Sequence, residues 1–134
     1  MNIYFALPAL NEAEYIGDTL RCVMMQQTEC NVEVYVCINQ PDSWWEDPEK
    51  IHVCLNNQRT FEIVGAISKK IHIIDRSSKG NGWKGKETGV GQARNTLMNE
   101  INRLASPEDL IISIDADTKF EKSYVETIIQ NFKI

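Results

Sequence analysis

Two aspartates, Asp115 and Asp117, stand either side of Ala116, directly after the apolar run Leu110-Ile111-Ile112-Ser113-Ile114. Hard divalent cations such as Mg2+ or Mn2+ take oxygen ligands, commonly one or two carboxylates together with the phosphates of a substrate. Carboxylates at the end of a buried strand therefore suit a metal–diphosphate site, although turn or capping aspartates are the plainer use of the same residues. Three other segments carry compatible chemistry. Pro8-Ala9-Leu10-Asn11-Glu12 offers backbone groups and a carboxylate, and Asn39 offers an amide able to hydrogen-bond a base edge. Residues 76–89 offer positive charge on a glycine-rich backbone.

These segments need elements to position them. Residues 3–7 form a short apolar run closed by Pro8, a buried-strand pattern. Asn11 is placed to cap a helix whose apolar positions are Ala13, Ile16, Leu20, Val23 and Met24. Residues 32–38 are β-branched and aromatic and predict a second strand. Turn chemistry follows at 39–43, and 44–55 has no clear period. A second helix is predicted over 57–68, with Phe61, Val64 and Ile67 on one face. Residues 71–75 read as a third strand containing His72, expected as a packed strand residue. Ala93, Leu97, Ile101 and Leu104 mark a third helix, stopped before Pro107. Residues 110–114 form a fourth strand, and Tyr124, Val125, Ile128, Ile129 and Phe132 a last helix.

Four strand–helix units in succession predict an α/β fold: a Rossmann-like three-layer αβα sandwich with a mainly parallel sheet. In such sheets ligands sit outside the carboxyl ends of the strands. That rule selects the four chemistry-bearing segments above and places Asp115 and Asp117 on the same rim as Asn11, Asn39 and Arg94.

Composition agrees. At 134 residues with 43% hydrophobic and 25% charged residues, the chain is one globular domain, which excludes a disordered or fibrous protein. No apolar run is long enough to span a membrane, and the N-terminus lacks the basic start of a secretory signal. The net charge of −5 argues against general nucleic-acid binding. Within it, Lys69 to Arg94 holds seven basic residues against two acidic ones, an island suited to a small anion such as a phosphate ester. Cys22, Cys30, Cys37 and Cys54 lack paired spacing and read as free thiols in a reducing cytoplasm.

The chain resembles the N-terminal part of a family 2 glycosyltransferase with the GT-A fold. The matching pieces are Ala6-Leu7-Pro8-Ala9-Leu10-Asn11-Glu12, the strand at 32–38, Gly91-Gln92-Ala93-Arg94-Asn95 and Ile112-Ser113-Ile114-Asp115-Ala116-Asp117, in that order. The resemblance implies inverting transfer of a sugar, of hexosyl type, from a UDP- or GDP-sugar to an acceptor such as a glycan or lipid carrier. By the same resemblance Pro8, Ala9, Asn11, Glu12 and Ala116 belong to the nucleotide pocket, and Arg94 faces the diphosphate. Asp115 lies near the ribose or a metal-bound water, and Asp117 ligates Mg2+ or Mn2+. The position of Asn39 usually carries a base-reading aspartate, and the amide changes what can be read there. Residues 43–57 are longer than in simple members and read as a specificity insertion. The general base is expected beyond Ile134, so residues 1–134 are expected to be the donor-binding portion of a longer enzyme. A cytoplasmic location follows, compatible with a peripheral place at the inner face of a membrane, as is a dimer.

Two other readings stay open. Gly80-Asn81-Gly82-Trp83-Lys84-Gly85-Lys86-Glu87 nearly spells a P-loop, but Glu87 replaces the metal-binding hydroxyl and the helix begins late. The same Gly/Lys loop otherwise reads as a flexible flap or as surface. A non-catalytic nucleotide-binding or interaction module is the third reading, its exposed sheet edge a partner surface. Trp44, Trp45 and Trp83 offer aromatic faces for a sugar or base, or for packing. His52 has no partner at metal spacing.

Overall fold

A computed structural model describes residues 1–85 and 89–132. Four strands alternate with helices: β1 (Asn2–Ala9), α1 (Ile16–Met24), β2 (Asn31–Asn39), α2 (Ile51–Ile67), β3 (His72–Arg76), α3 (Val90–Asn102), β4 (Leu110–Ser113) and α4 (Tyr124–Phe132). A short 3₁₀ turn (Asp42–Glu46) precedes α2. The strands pair in the order β3-β2-β1-β4, and all three pairings are parallel.

The central strand shows why the sheet is parallel and covered. Ile3, Phe5, Leu7 and Ala9 point to one face and Tyr4 and Ala6 to the other, and all six are buried. A strand apolar on both faces must be sandwiched between helices. On the first face the strands meet Ile16, Leu20 and Val23 of α1, Val64 of α2, and Val125 and Ile129 of α4. The second face is covered by Ala93, Leu97 and Ile101 of α3, with Trp83 beside them. Burying each large side chain, such as Phe5 or Leu7, contributes about 1.5–3 kcal/mol.

Chain direction follows from the same packing. The path β1-α1-β2-α2-β3 moves one way along the sheet, and the chain then returns past β1 to β4. Right-handed crossovers put helices on one face while the path runs one way and on the other when it reverses. Accordingly α1 and α2 share a face and α3 takes the opposite one. The reversal makes the gap between the carboxyl ends of β1 and β4 the topological switch point.

Several elements differ from expectation for identifiable reasons. β1 is not closed by Pro8 but runs through it to Ala9. Ala6 O accepts from Ile114 N, so Pro8, two residues on, turns its missing N–H toward β4, whose pairing with β1 has already ended at Ser113. Asn11 does not cap α1. It adopts a left-handed φ of 58°, which asparagine tolerates, and the helix starts at Ile16. α2 begins at Ile51 rather than at Asn57, because its buried stripe includes polar Asn57 and Thr60 as well as Val53, Cys54 and Val64. The expected stripe residues Met24, Leu104 and Phe132 are exposed. His72 lies in β3 but on its exposed side, stacked on Tyr35 with ring centroids 4.4 Å apart.

The described part of the Gly/Lys loop is tied down rather than a flap. Trp83 N donates to Gln40 O, Asp42 N donates to Trp83 O, and Gly80 N donates to Asp42 Oδ1. A Cβ on Gly82 would lie 2.6 Å from the Asp42 backbone, so only glycine permits this approach. All four cysteines are free, and burial pushes the Cys37 thiol up to about 12.

Candidate active site

A cleft of about 430 Å³ opens at the switch point, lined by Pro8, Leu10, Glu12, Asn39, Asp115, Ala116 and Asp117. Five of the seven come from the ends of β1 and β2 and the turn after β4, as the strand-end rule requires.

The turn after β4 sorts its residues by burial. Ala116 is buried, whereas Asp115 and Asp117 are exposed. Thr19 of α1 donates its hydroxyl to Ala116 O at 2.8 Å, pinning the turn to that helix. Both carboxylates are thereby left on the cleft side of the buried alanine. Arg94, on α3, donates to Asp115 Oδ1 at 2.8 Å. Glu12 completes the acidic rim. Burial first, then the charges of Asp117 and Asp115, raise its pKa above the ordinary 4.5.

The loop after β1 is held from α2. Asn11 N donates to Asn57 Oδ1 at 2.9 Å and Ala13 N to Asn56 Oδ1 at 3.1 Å, so the residues flanking Glu12 are both fixed. Asn57 Nδ2 in turn donates to Gln40 Oε1 at 3.0 Å. Asn39 is 1% exposed, and its amide is engaged within the protein. Its Nδ2 donates to Ala9 O and Cys37 O, and its Oδ1 accepts from the Trp83 indole N–H at 3.1 Å.

The structure thus gathers Pro8, Glu12, Asn39, Asp115, Ala116 and Asp117 around one cleft, with Arg94 tied to its rim. Ala9 and Asn11 do not line it. The Ala9 side chain packs in the core beneath α1, and Asn11 serves the loop through its backbone. Leu10 lines the cleft without having been singled out in the sequence. Thr19, Asn56 and Asn57 act through backbone contacts, and polar residues on helix faces gave no signal of that role.

Among the described residues no three His, Cys, Asp or Glu side chains converge as a metal cage. Glu12, Asp115 and Asp117 do offer carboxylate oxygens, the donor type a hard cation takes. Glu121 and Glu126 border other grooves, beside Met25 and Cys30 respectively. The P-loop reading fits poorly. Residues 77–89 separate β3 from α3, and Gly82-Trp83 are bound to residues 40–42 rather than to the start of α3. Lys86 and Glu87 lie outside the described residues. Trp83 is buried, whereas Trp44 and Trp45 are half-buried, Trp45 donating to Ser77 O at 2.9 Å and Trp44 lying under Lys50.

A four-stranded parallel sheet in this order, covered by helices on both faces, is a Rossmann-like α/β fold. No family model matches the chain, and no curated protein matches its sequence. Among solved structures, residues 1–349 of S. aureus TarS match with a TM-score of 0.63 at 18% identity, covering 99% of this chain and 32% of that one. The same protein in complex with UDP-GlcNAc matches with a TM-score of 0.63 at 18% identity, covering 99% and 31%. The chain therefore spans about a third of the length of the solved chains it matches, and the likeness is one of fold.

Proposed function

We propose that residues 1–134 are the donor-binding portion of an inverting, family 2 glycosyltransferase that takes a sugar, of hexosyl type, from a UDP- or GDP-sugar. The observation that carries this reading is the cleft itself, where Asp115, Asp117 and Glu12 meet Pro8 and Asn39 at the topological switch point of the sheet. Its support from outside the chain is the shared fold of TarS, which has been solved with UDP-GlcNAc.

In this reading the diphosphate lies along the turn after β4. Arg94 leaves Asp115 to pair with it, a bidentate geometry that guanidinium favours. Asp117 and Asp115 would hold a Mg2+ or Mn2+ ion, which when bound would offset charge growing on the leaving diphosphate. Leu10 and Pro8 give the nucleoside an apolar wall. Asn39 acts through shape, since its polar atoms are occupied. The general base and the acceptor surface, for a glycan or a lipid carrier, belong to chain outside these residues. The four free thiols support a cytoplasmic setting, and among the described residues no helix is long and apolar enough to cross a membrane.

Calorimetric titration with UDP, GDP and ATP, each with and without Mn2+, tests the proposal. Manganese-dependent binding of a nucleoside diphosphate supports it. A preference for ATP, or no nucleotide binding, overturns it in favour of the NTPase or the interaction module.

A further inference from the structure

A second concavity, of about 450 Å³, lies beyond the carboxyl end of β3 and includes Asp75, Arg76, Asn81, Trp83, Lys84 and Gln92 in its lining. None of these residues lines the switch-point cleft. We propose that this concavity is a separate binding site for a small phosphate-bearing anion, held by the Arg76 guanidinium and the Lys84 ammonium.

Its lining carries two cations, Arg76 and Lys84, against the one carboxylate of Asp75, and so keeps a net positive charge. Asp75, the carboxylate in the lining, is committed to its own loop. Its Oδ1 accepts from Ser77 N at 3.0 Å and Ser78 N at 2.9 Å, and its Oδ2 accepts from Asn81 Nδ2 at 3.2 Å. Arg76 and Lys84 make no ion pair with any described carboxylate. The Arg76 guanidinium carbon lies over the Trp83 ring, 4.4 Å from its centroid. An aromatic face under the cation holds it in place, and guanidinium N–H groups suit phosphate oxygens. Its Nε is buried without a partner among the described residues, an unsatisfied donor of the kind a bound oxygen relieves.

The walls are built before any ligand arrives. Trp83 is bonded to residues 40 and 42 through its backbone and to Asn39 through its indole. Asn81 is braced by Asp75, and Gly82 packs against residue 42. Binding therefore need not order the loop, which keeps the entropic cost low. Two cations against one carboxylate, with amides around them, favour a small anion, and a phosphate monoester or free phosphate fits that description better than a flat apolar group.

The indole N–H of Trp83 reports on this site by two-dimensional NMR, assigned by replacing Trp44 and Trp45 in turn with phenylalanine. Inorganic phosphate, added to about 20 mM, should move that signal saturably, the millimolar range expected of two charges on one small anion. Arg94→Gln should leave the titration unchanged, and Arg76→Gln should weaken it by about tenfold or more. Tighter binding of glycerol 3-phosphate than of phosphate would assign the site to an ester, and equal binding to the free anion. An unmoved signal, or an equal shift with sodium chloride at matched ionic strength, overturns the proposal. Should Arg76→Gln fail to fold, the exposed Lys84→Gln carries the test, and undiminished binding there overturns the proposal too. No nucleotide is present, so a failure here leaves the donor-site reading standing.

Discussion

The Arg94 guanidinium and the Asp115 carboxylate meet at 2.8 Å, although one rides on α3 and the other on the turn after β4. They are joined across the switch point of the sheet, and the pair marks where a helix from one face reaches the acidic rim. Both side chains are about half exposed, 47% and 63%, so the bond adds little to stability. Its interest is that a competing anion can displace it.

Arg94→Gln should therefore leave the melting temperature nearly unchanged, because an exposed pair contributes about 0–1 kcal/mol. The same variant should weaken nucleoside diphosphate binding by about tenfold or more, the loss expected when a charge-assisted hydrogen bond is removed. Differential scanning fluorimetry and calorimetry separate the two effects. A large stability loss would show that the pair is structural.

Glu12 predicts a pH dependence of definite sign. Its carboxyl is held above the ordinary 4.5 by burial and by Asp117 and Asp115, so the folded chain binds this proton more tightly than the unfolded chain. The group therefore lowers stability as pH rises through the window between 4.5 and its raised folded value. Glu12→Gln should be more stable than the parent at pH 7, and the gain should vanish below pH 4.5, where both forms are neutral. Urea unfolding at the two extremes checks this. Because Mn2+ offsets the same repulsion, adding it should pull the Glu12 titration down.

Two glycines should respond oppositely to alanine. At Gly82 the new Cβ meets the Asp42 backbone at 2.6 Å and Gln40 O at 2.8 Å, which forces the docked loop apart. Overpacking of this kind costs about 1–3 kcal/mol. Gly65, exposed on α2, has nothing within 4 Å of that position. Gly65→Ala should stabilise by about 0.5–1 kcal/mol through helix propensity alone. Urea midpoints of the two variants give the comparison.

The contrast between these sites shows what the sequence could reveal. β1, β2 and β4 were legible because each is a run of apolar residues, and a buried parallel strand needs nothing else. Asp115 and Asp117 stood out for the same reason, as charges breaking an apolar run. The parts that stayed hidden depend on polar groups buried by partners far along the chain. α2 looked shorter than it is because Asn57 and Thr60 occupy its inward stripe. Asn39 read as a free amide, yet Trp83, 44 residues away, takes its oxygen. Trp83 itself lies in a Gly/Lys segment whose composition suggests mobility, while the contact requiring Gly82 is invisible to local pattern.

Asn57 deserves its own test as the brace of the Glu12 loop. Asn57→Ala removes the acceptor for Asn11 N and the donor to Gln40, leaving buried polar groups unpaired at about 1–3 kcal/mol. A merely structural role would stop there. If the residue also positions the rim, the Glu12 carboxyl, no longer fixed beside Asp117, should titrate closer to 4.5 by NMR.

Asp117→Asn isolates the metal question. The Asp117 side chain is exposed and makes no hydrogen bond or ion pair with any described residue, so the fold should not notice its loss. Two readouts should change nonetheless. Manganese-dependent gain in nucleoside diphosphate affinity should disappear, leaving the weaker metal-free binding through Arg94. The Glu12 pKa should fall even without ligand, because Asp117 is the stronger of the two charges acting on it. Asp115→Asn should lower that pKa less and should free Arg94. If Mn2+ still strengthens binding in Asp117→Asn to the parent extent while the Glu12 titration shifts as expected, the carboxylates are neighbours but the cation is held elsewhere.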